Sequence, residues 1–93
     1  MNDVKKRIIE IERLANSKSL GAIDRADSLC YSVNLRIYAK QALAHTIREA
    51  IRQGKVNFNS TDKSDLLSCA ETLEKEFEEE KDMLKKAMGK LYK

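Results

Sequence analysis

Apolar positions recur at steps of three and four residues along three long stretches of this chain. The first stripe is Val4, Ile8, Ile11 and Ala15, the spacing of one buried face on an amphipathic helix. It predicts a helix over about 3–16, opened by Asn2 or Asp3, whose side chains can accept from the free N–H groups of a first turn. The polar run "NSKSLG", Asn16 to Gly21, then interrupts the pattern. A second stripe, Ala26, Cys30, Val33, Ile37, Ala44, Ile47 and Ile51, predicts a helix over about 22–53 that ends at Gly54. Leu29, Leu43 and Ala50 widen this stripe to a second side, as expected of a central helix between two neighbours. Asp24 and Asp27 are expected in its opening turns and Arg48 and Arg52 in its closing ones, which suits the helix dipole.

The third stripe is the most regular: Leu66, Ala70, Leu73, Phe77, Glu80, Leu84, Ala87 and Leu91. Each step is three or four, the heptad of coiled-coil packing. It predicts a helix over about 61–92, capped by Asn59, Ser60 or Thr61, with Val56 and Phe58 plugging the end of the bundle. The absence of proline and the three glycines agree with long uninterrupted helices. The expected fold is therefore all-α, a single domain over residues 1–93. Its main feature is a long antiparallel hairpin of the second and third helices, with a short first helix packed on it.

Length makes that fold incomplete. Two helices of about 32 residues reach about 48 Å, whereas the first reaches about 21 Å and covers less than half of them. Either the second helix breaks near Tyr31 to Asn34, which are weak helix formers, or two chains pair and bury each other's stripes. The second outcome, a homodimer, is the one expected, because a chain of 93 residues builds a small core.

Two charges interrupt the stripes. Lys40 stands in the gap between Ile37 and Ala44, and Glu80 within the third stripe. A charge at such a position costs stability and can fix register or oligomeric state, so Lys40 and Glu80 are expected to meet, within the hairpin or across a dimer. A hairpin folded about residue 57 would also set Arg36 near Glu78, Lys40 near Glu74 and His45 near Cys69. The net charge of +3 is mild, but it is laid out in blocks of +1 (1–17), +4 (18–55), −6 (56–80) and +4 (81–93). Alternating blocks favour contacts within or between like chains over one continuous basic face.

The chemistry on offer is sparse. His45 and Cys69 could pair, but nothing supplies further metal ligands or an oxyanion hole, and Cys69, three residues after Leu66, reads as a buried small residue. Cys30 is too far out of level with Cys69 to form a bridge. The stretch "AIDRADSL", Ala22 to Leu29, resembles an acidic–basic helix segment of chorismate mutases over eight residues. That site needs several arginines and a lysine converging from three helices, and here the first helix is too short and no glutamine-bearing final segment matches. No enzyme, cofactor or metal is expected. No apolar run approaches the ~18 residues of a membrane span, and "MNDVKKRIIE" lacks an apolar signal core, so the cytoplasm is the expected compartment.

The expected function is a small helical module that binds another protein as an adaptor, inhibitor or regulator. The residues left after the stripes are filled, Tyr31, Leu35, Tyr38, Met83, Met88 and Tyr92, are of types that favour interface centres. The alternative is a nucleic-acid accessory protein. Its basic patch would combine Lys5, Lys6, Arg7, Arg13, Lys18 and Arg25 with Lys85, Lys86, Lys90 and Lys93.

Overall fold

A computed structural model describes residues 2–54 and 57–92. It contains three helices, α1 (Asp3–Ser17), α2 (Leu20–Gln53) and α3 (Ser60–Leu91). Cross-helix pairs fix their directions. Asp3 lies beside Arg36, while Lys5 meets Glu79 and Glu12 meets Lys90. Thus α1 runs against α2 and alongside α3, in an up-down-up order.

Each helix opens on a side-chain cap. Asn2 Oδ1 accepts from the Lys5 N–H at 2.8 Å, Ser19 Oγ from Ala22 at 3.2 Å and Asn59 Oδ1 from Asp62 at 2.8 Å. The Ser19 cap moves the start of α2 two residues ahead of the expected Ala22. The first joint shrinks to Lys18 and Ser19, with Lys18 itself in the left-handed region at φ 58°. Asp24 and Asp27 consequently lie beyond the first turn of α2, which carries no acidic residue. Gly54 closes α2 at φ 64°, the left-handed cap that glycine adopts without strain. Helix α2 is continuous through Tyr31 to Asn34. Packing decides this: Val33 is fully buried, and burial of a helix face outweighs weak intrinsic propensity. In the second joint Phe58 is half-buried and Val56 lies outside the described residues.

The core gathers Val4, Ile8, Ile11 and Leu14 of α1, Ala26, Cys30, Val33 and Ile37 of α2, and Phe77, Leu84 and Ala87 of α3. All of it lies where α1 covers the hairpin. Beyond α1, the buried hydrophobic residues are two alanines, Ala44 and Ala70. The result is a rod of 55 × 20 × 17 Å, three helices thick at one end and two at the other. No described helix is long and apolar enough to cross a membrane.

Candidate protein-binding face

The pairing of α2 with α3 differs from a fold-back about residue 57. Lys40 reaches Glu76 and Glu80, Arg48 reaches Glu74, and Arg36 turns to Asp3 of α1. The expected Arg36–Glu78 and Lys40–Glu74 pairs are not formed. Helix α3 is displaced by about one turn, a register that brings Glu80 under Lys40. His45 accordingly sits with Gln41, Arg48, Glu74, Phe77 and Glu78 rather than with Cys69. Cys69 is exposed, not buried as its position suggested, whereas Cys30 is buried. Helix α1, whose first residues lie level with Glu79, does not extend to Cys69.

Where α1 begins, Lys40, Glu76, Glu80 and Asn2 form a polar cluster. Glu80 is fully buried. It accepts from Lys40 Nζ at 2.8 and 2.9 Å and from Asn2 Nδ2 at 2.8 Å, while Lys40 Nζ also reaches Glu76 at 2.6 Å. Burial alone would lower the Lys40 pKa; the hydrogen bonds it donates to Glu76 and Glu80, with their charges, outweigh it and hold the ammonium above the ordinary lysine value. Among the described residues no buried side-chain polar atom lacks a partner. A charge that would be costly alone is therefore fully compensated. The cluster is closed to ligands; it fixes how the three helices meet.

The open face lies on the other side of the hairpin, away from α1. Two rows line it at steps of four, three and four: Asp27, Tyr31, Asn34 and Tyr38 on α2, and Lys81, Lys85, Met88 and Tyr92 on α3. Between them runs a groove of about 470 Å³ bounded by Asn34, Tyr38, Glu78, Lys81, Lys85 and Met88. Through Asn34 and Met88 it joins a hollow of about 340 Å³ lined by Asp27, Cys30, Tyr31 and Tyr92. Tyr31, Tyr38 and Tyr92 are exposed by 72%, 46% and 61%, a large aromatic surface to leave in water. Tyr38 packs edge-on to Phe77 with ring centroids 5.2 Å apart, and Lys81 Nζ sits 4.9 Å above the Phe77 ring. The Tyr92 hydroxyl donates to Asp27, and that bond, with some burial, pushes its pKa up to about 12. The bond ties the end of α3 to α2 and closes the groove there.

Of the residues singled out from sequence as partner contacts, Tyr31, Tyr38, Met88 and Tyr92 share this groove. Leu35 is exposed outside its lining, and Met83, which like Met88 packs against the core, lines neither hollow. Asn34, Lys81 and Lys85 complete the groove without having been singled out as such contacts. The double four-three-four spacing beside the two apolar stripes is the signal that marks them.

The basic residues do not assemble into one free patch. Lys5 pairs with Glu79, Arg7 with Asp3, Arg13 with Glu10, Lys86 with Asp82 and Lys90 with Glu12. Lys6, Lys18, Arg25 and Lys85 carry no ion pair among the described residues, and Lys85 lies in the groove, apart from the others. Lys93 lies outside the described residues. No family model matches this chain, nor does any curated protein or solved structure.

Proposed function

We propose that this chain is a helical protein-binding module whose working surface is the α2–α3 groove, and that its occupant is an acidic amphipathic helix of another protein. One observation carries the reading: two matched rows put three exposed tyrosines and a methionine around an open hollow, with Lys81 and Lys85 along one wall. Eleven residues separate Lys81 from Tyr92, a wall of about 16 Å or three helical turns. That is the length over which a bound helix presents anchors at i, i+3, i+4 and i+7. Tyrosine supplies large, rigid contact area at small entropic cost. Lys85 favours an acidic occupant: Glu78 and Asp82 of the same wall are already paired with Lys81 and Lys86, and Lys85 has no ion pair among the described residues. Such a module acts as an adaptor, inhibitor or regulator by occupying a surface on its partner.

The test is photo-crosslinking of the full chain in cell extract from a benzophenone amino acid placed at position 38 or 88, against a control at position 9. The expected result is a discrete protein adduct from the groove positions that disappears with Lys85→Glu and persists with Leu43→Glu. Adducts of equal pattern from all three positions, or none, overturn the proposal. So does a salt-sensitive mobility shift of nucleic acid that is lost on substituting Lys18 and Arg25, which would favour the basic-patch alternative.

A further inference from the structure

The lane in which α1 lies does not stop where α1 stops. On α2, Leu29 packs against the core beneath α1 and Arg36 reaches Asp3; seven and fourteen residues past Arg36, the same side of the helix carries Leu43 and Ala50. On α3, Met83 packs against the core and Lys90 reaches Glu12 of α1; the same heptad row, traced back towards the free end, carries Glu76, Cys69 and Asp62. The seam residues Ile47 and Leu73 line the floor and are half-buried, while Leu43 is 52% exposed. An apolar lane, collinear with α1, thus continues along the uncovered half of the hairpin.

Its charges are distributed with a polarity. At the free end, Asp62 and Asp65 form no ion pair among the described residues, and Asp65 lies on the row that further along carries Glu79, the partner of Lys5. At the closed end, the guanidiniums of Arg7 and Arg36 share one carboxylate, that of Asp3, at 3.5 and 3.9 Å, so the two arginines keep donors for a further carboxylate. Between the ends, residues 41–47 and 66–70 contain no charge, and beyond them Arg48 is paired with Glu74 and Glu76 with Lys40. A lane with two carboxylates lacking ion pairs at one end, two arginines sharing a single carboxylate at the other and an apolar centre is complementary to itself turned end for end.

We propose that a second copy of this chain fills the lane, with two hairpins packed antiparallel about a two-fold axis near Ile47. The open halves then form a central four-helix layer, and each α1 abuts the free end of the other chain. Asp62 and Asp65 of one copy lie beside Arg36 and Arg7 of the other. Like residues near the axis face one another, as in any isologous interface, so the two Cys69 thiols come to the same side of the centre. The tyrosine groove is on the opposite side of each hairpin and stays open in the pair.

Sedimentation equilibrium of the full chain, with pyrene attached at the exposed Cys69, tests the arrangement. The expected result is a dimer with pyrene excimer emission. Leu43→Glu should weaken association at least about tenfold while leaving helicity unchanged, and a charge-reversing Asp62→Lys/Asp65→Lys pair should also weaken it. Tyr31→Glu, in the opposite groove, should not. A chain that stays monomeric at high concentration overturns the proposal and leaves the lane to another occupant. A dimer that survives Leu43→Glu, or one without excimer emission, overturns it by placing the interface elsewhere.

Discussion

The two halves of the hairpin are built from the same stripes yet filled with different residues. Under α1 the facing positions are large and sealed: Ile8, Ile11, Val33 and Ile37 are at most 1% exposed. In the open half, the same periodicity continues, but the buried hydrophobic positions have shrunk to Ala44 and Ala70, and Ile47, Ile51, Leu66 and Leu73 keep part of their surface in water. A two-helix layer cannot seal a large side chain from both flanks, whereas a third helix can. Periodicity therefore states which face turns inward, and the thickness of the layer decides how much of that face is removed from water. The Lys40–Glu80–Asn2 cluster marks the boundary, a polar junction at the level where the third helix begins.

The largest effect should come from breaking that boundary. Lys40→Met leaves the fully buried Glu80 with Asn2 as its remaining partner, an uncompensated charge that should cost about 3 to 5 kcal/mol. Glu80→Leu is the milder change, expected to cost about 1 kcal/mol or less, because Lys40 retains Glu76 and partial access to solvent, and a buried ion replaced by a hydrophobe of similar volume is often tolerated. The double variant should recover most of the loss seen with Lys40→Met, giving a coupling energy readable in a urea-denaturation cycle. Equal losses in the two single variants would show that the cluster does not act as a buried unit.

A second comparison separates the halves themselves. Ile8→Ala opens a cavity in a sealed core and should cost about 2 to 5 kcal/mol. Ile47→Ala, at a half-buried position of the open half, should cost about 1 kcal/mol in dilute protein, since much of the deleted surface was already hydrated. Urea melts at several protein concentrations sharpen the contrast. If lanes pair, the cost of Ile47→Ala grows with concentration while that of Ile8→Ala does not. Equal costs in dilute solution would mean that the open half is as well sealed as the covered one.

Much of this architecture is written in the spacing. Val4, Ile8, Ile11 and Ala15 are all buried as their stripe requires, because a seven-residue period leaves little freedom in which side of a helix faces inward. The shortness of α1 was equally plain, since rise per residue is fixed. What spacing does not determine is the sliding of one helix along another. A shift of one turn preserves the apolar match, so the choice fell to Lys40, Glu76 and Glu80. For the same reason Cys69, three residues after Leu66, looked internal: its exposure depends on how far α1 extends along the hairpin, which is a property of three helices and not of α3 alone. The groove was half legible. Tyr31, Tyr38, Met88 and Tyr92 stand out as surplus apolar surface, but Met83, of the same character, lies on the row of α3 whose Glu79 and Lys90 pair with α1, and only the placement of α1 tells them apart.

The smallest effect distinguishes the halves through two identical residues. Asn2 caps α1 and Asn59 caps α3, each by accepting one backbone N–H at 2.8 Å. At the free end the cap stands alone, so Asn59→Ala should cost about 1 kcal/mol, and Asn59→Asp should be close to neutral because a carboxylate suits a helix N-terminus. Asn2 also donates its amide to Glu80. Asn2→Ala therefore removes a charge-assisted hydrogen bond as well as the cap and should cost about 2 kcal/mol. Asn2→Asp keeps the cap but sets a second carboxylate against Glu80 and should destabilise where the same substitution at residue 59 does not. Thermal melts of the four variants decide it. Should Asn2→Asp prove as harmless as Asn59→Asp, the amide contact with Glu80 contributes nothing to stability, and the boundary of the covered half rests on Lys40 alone.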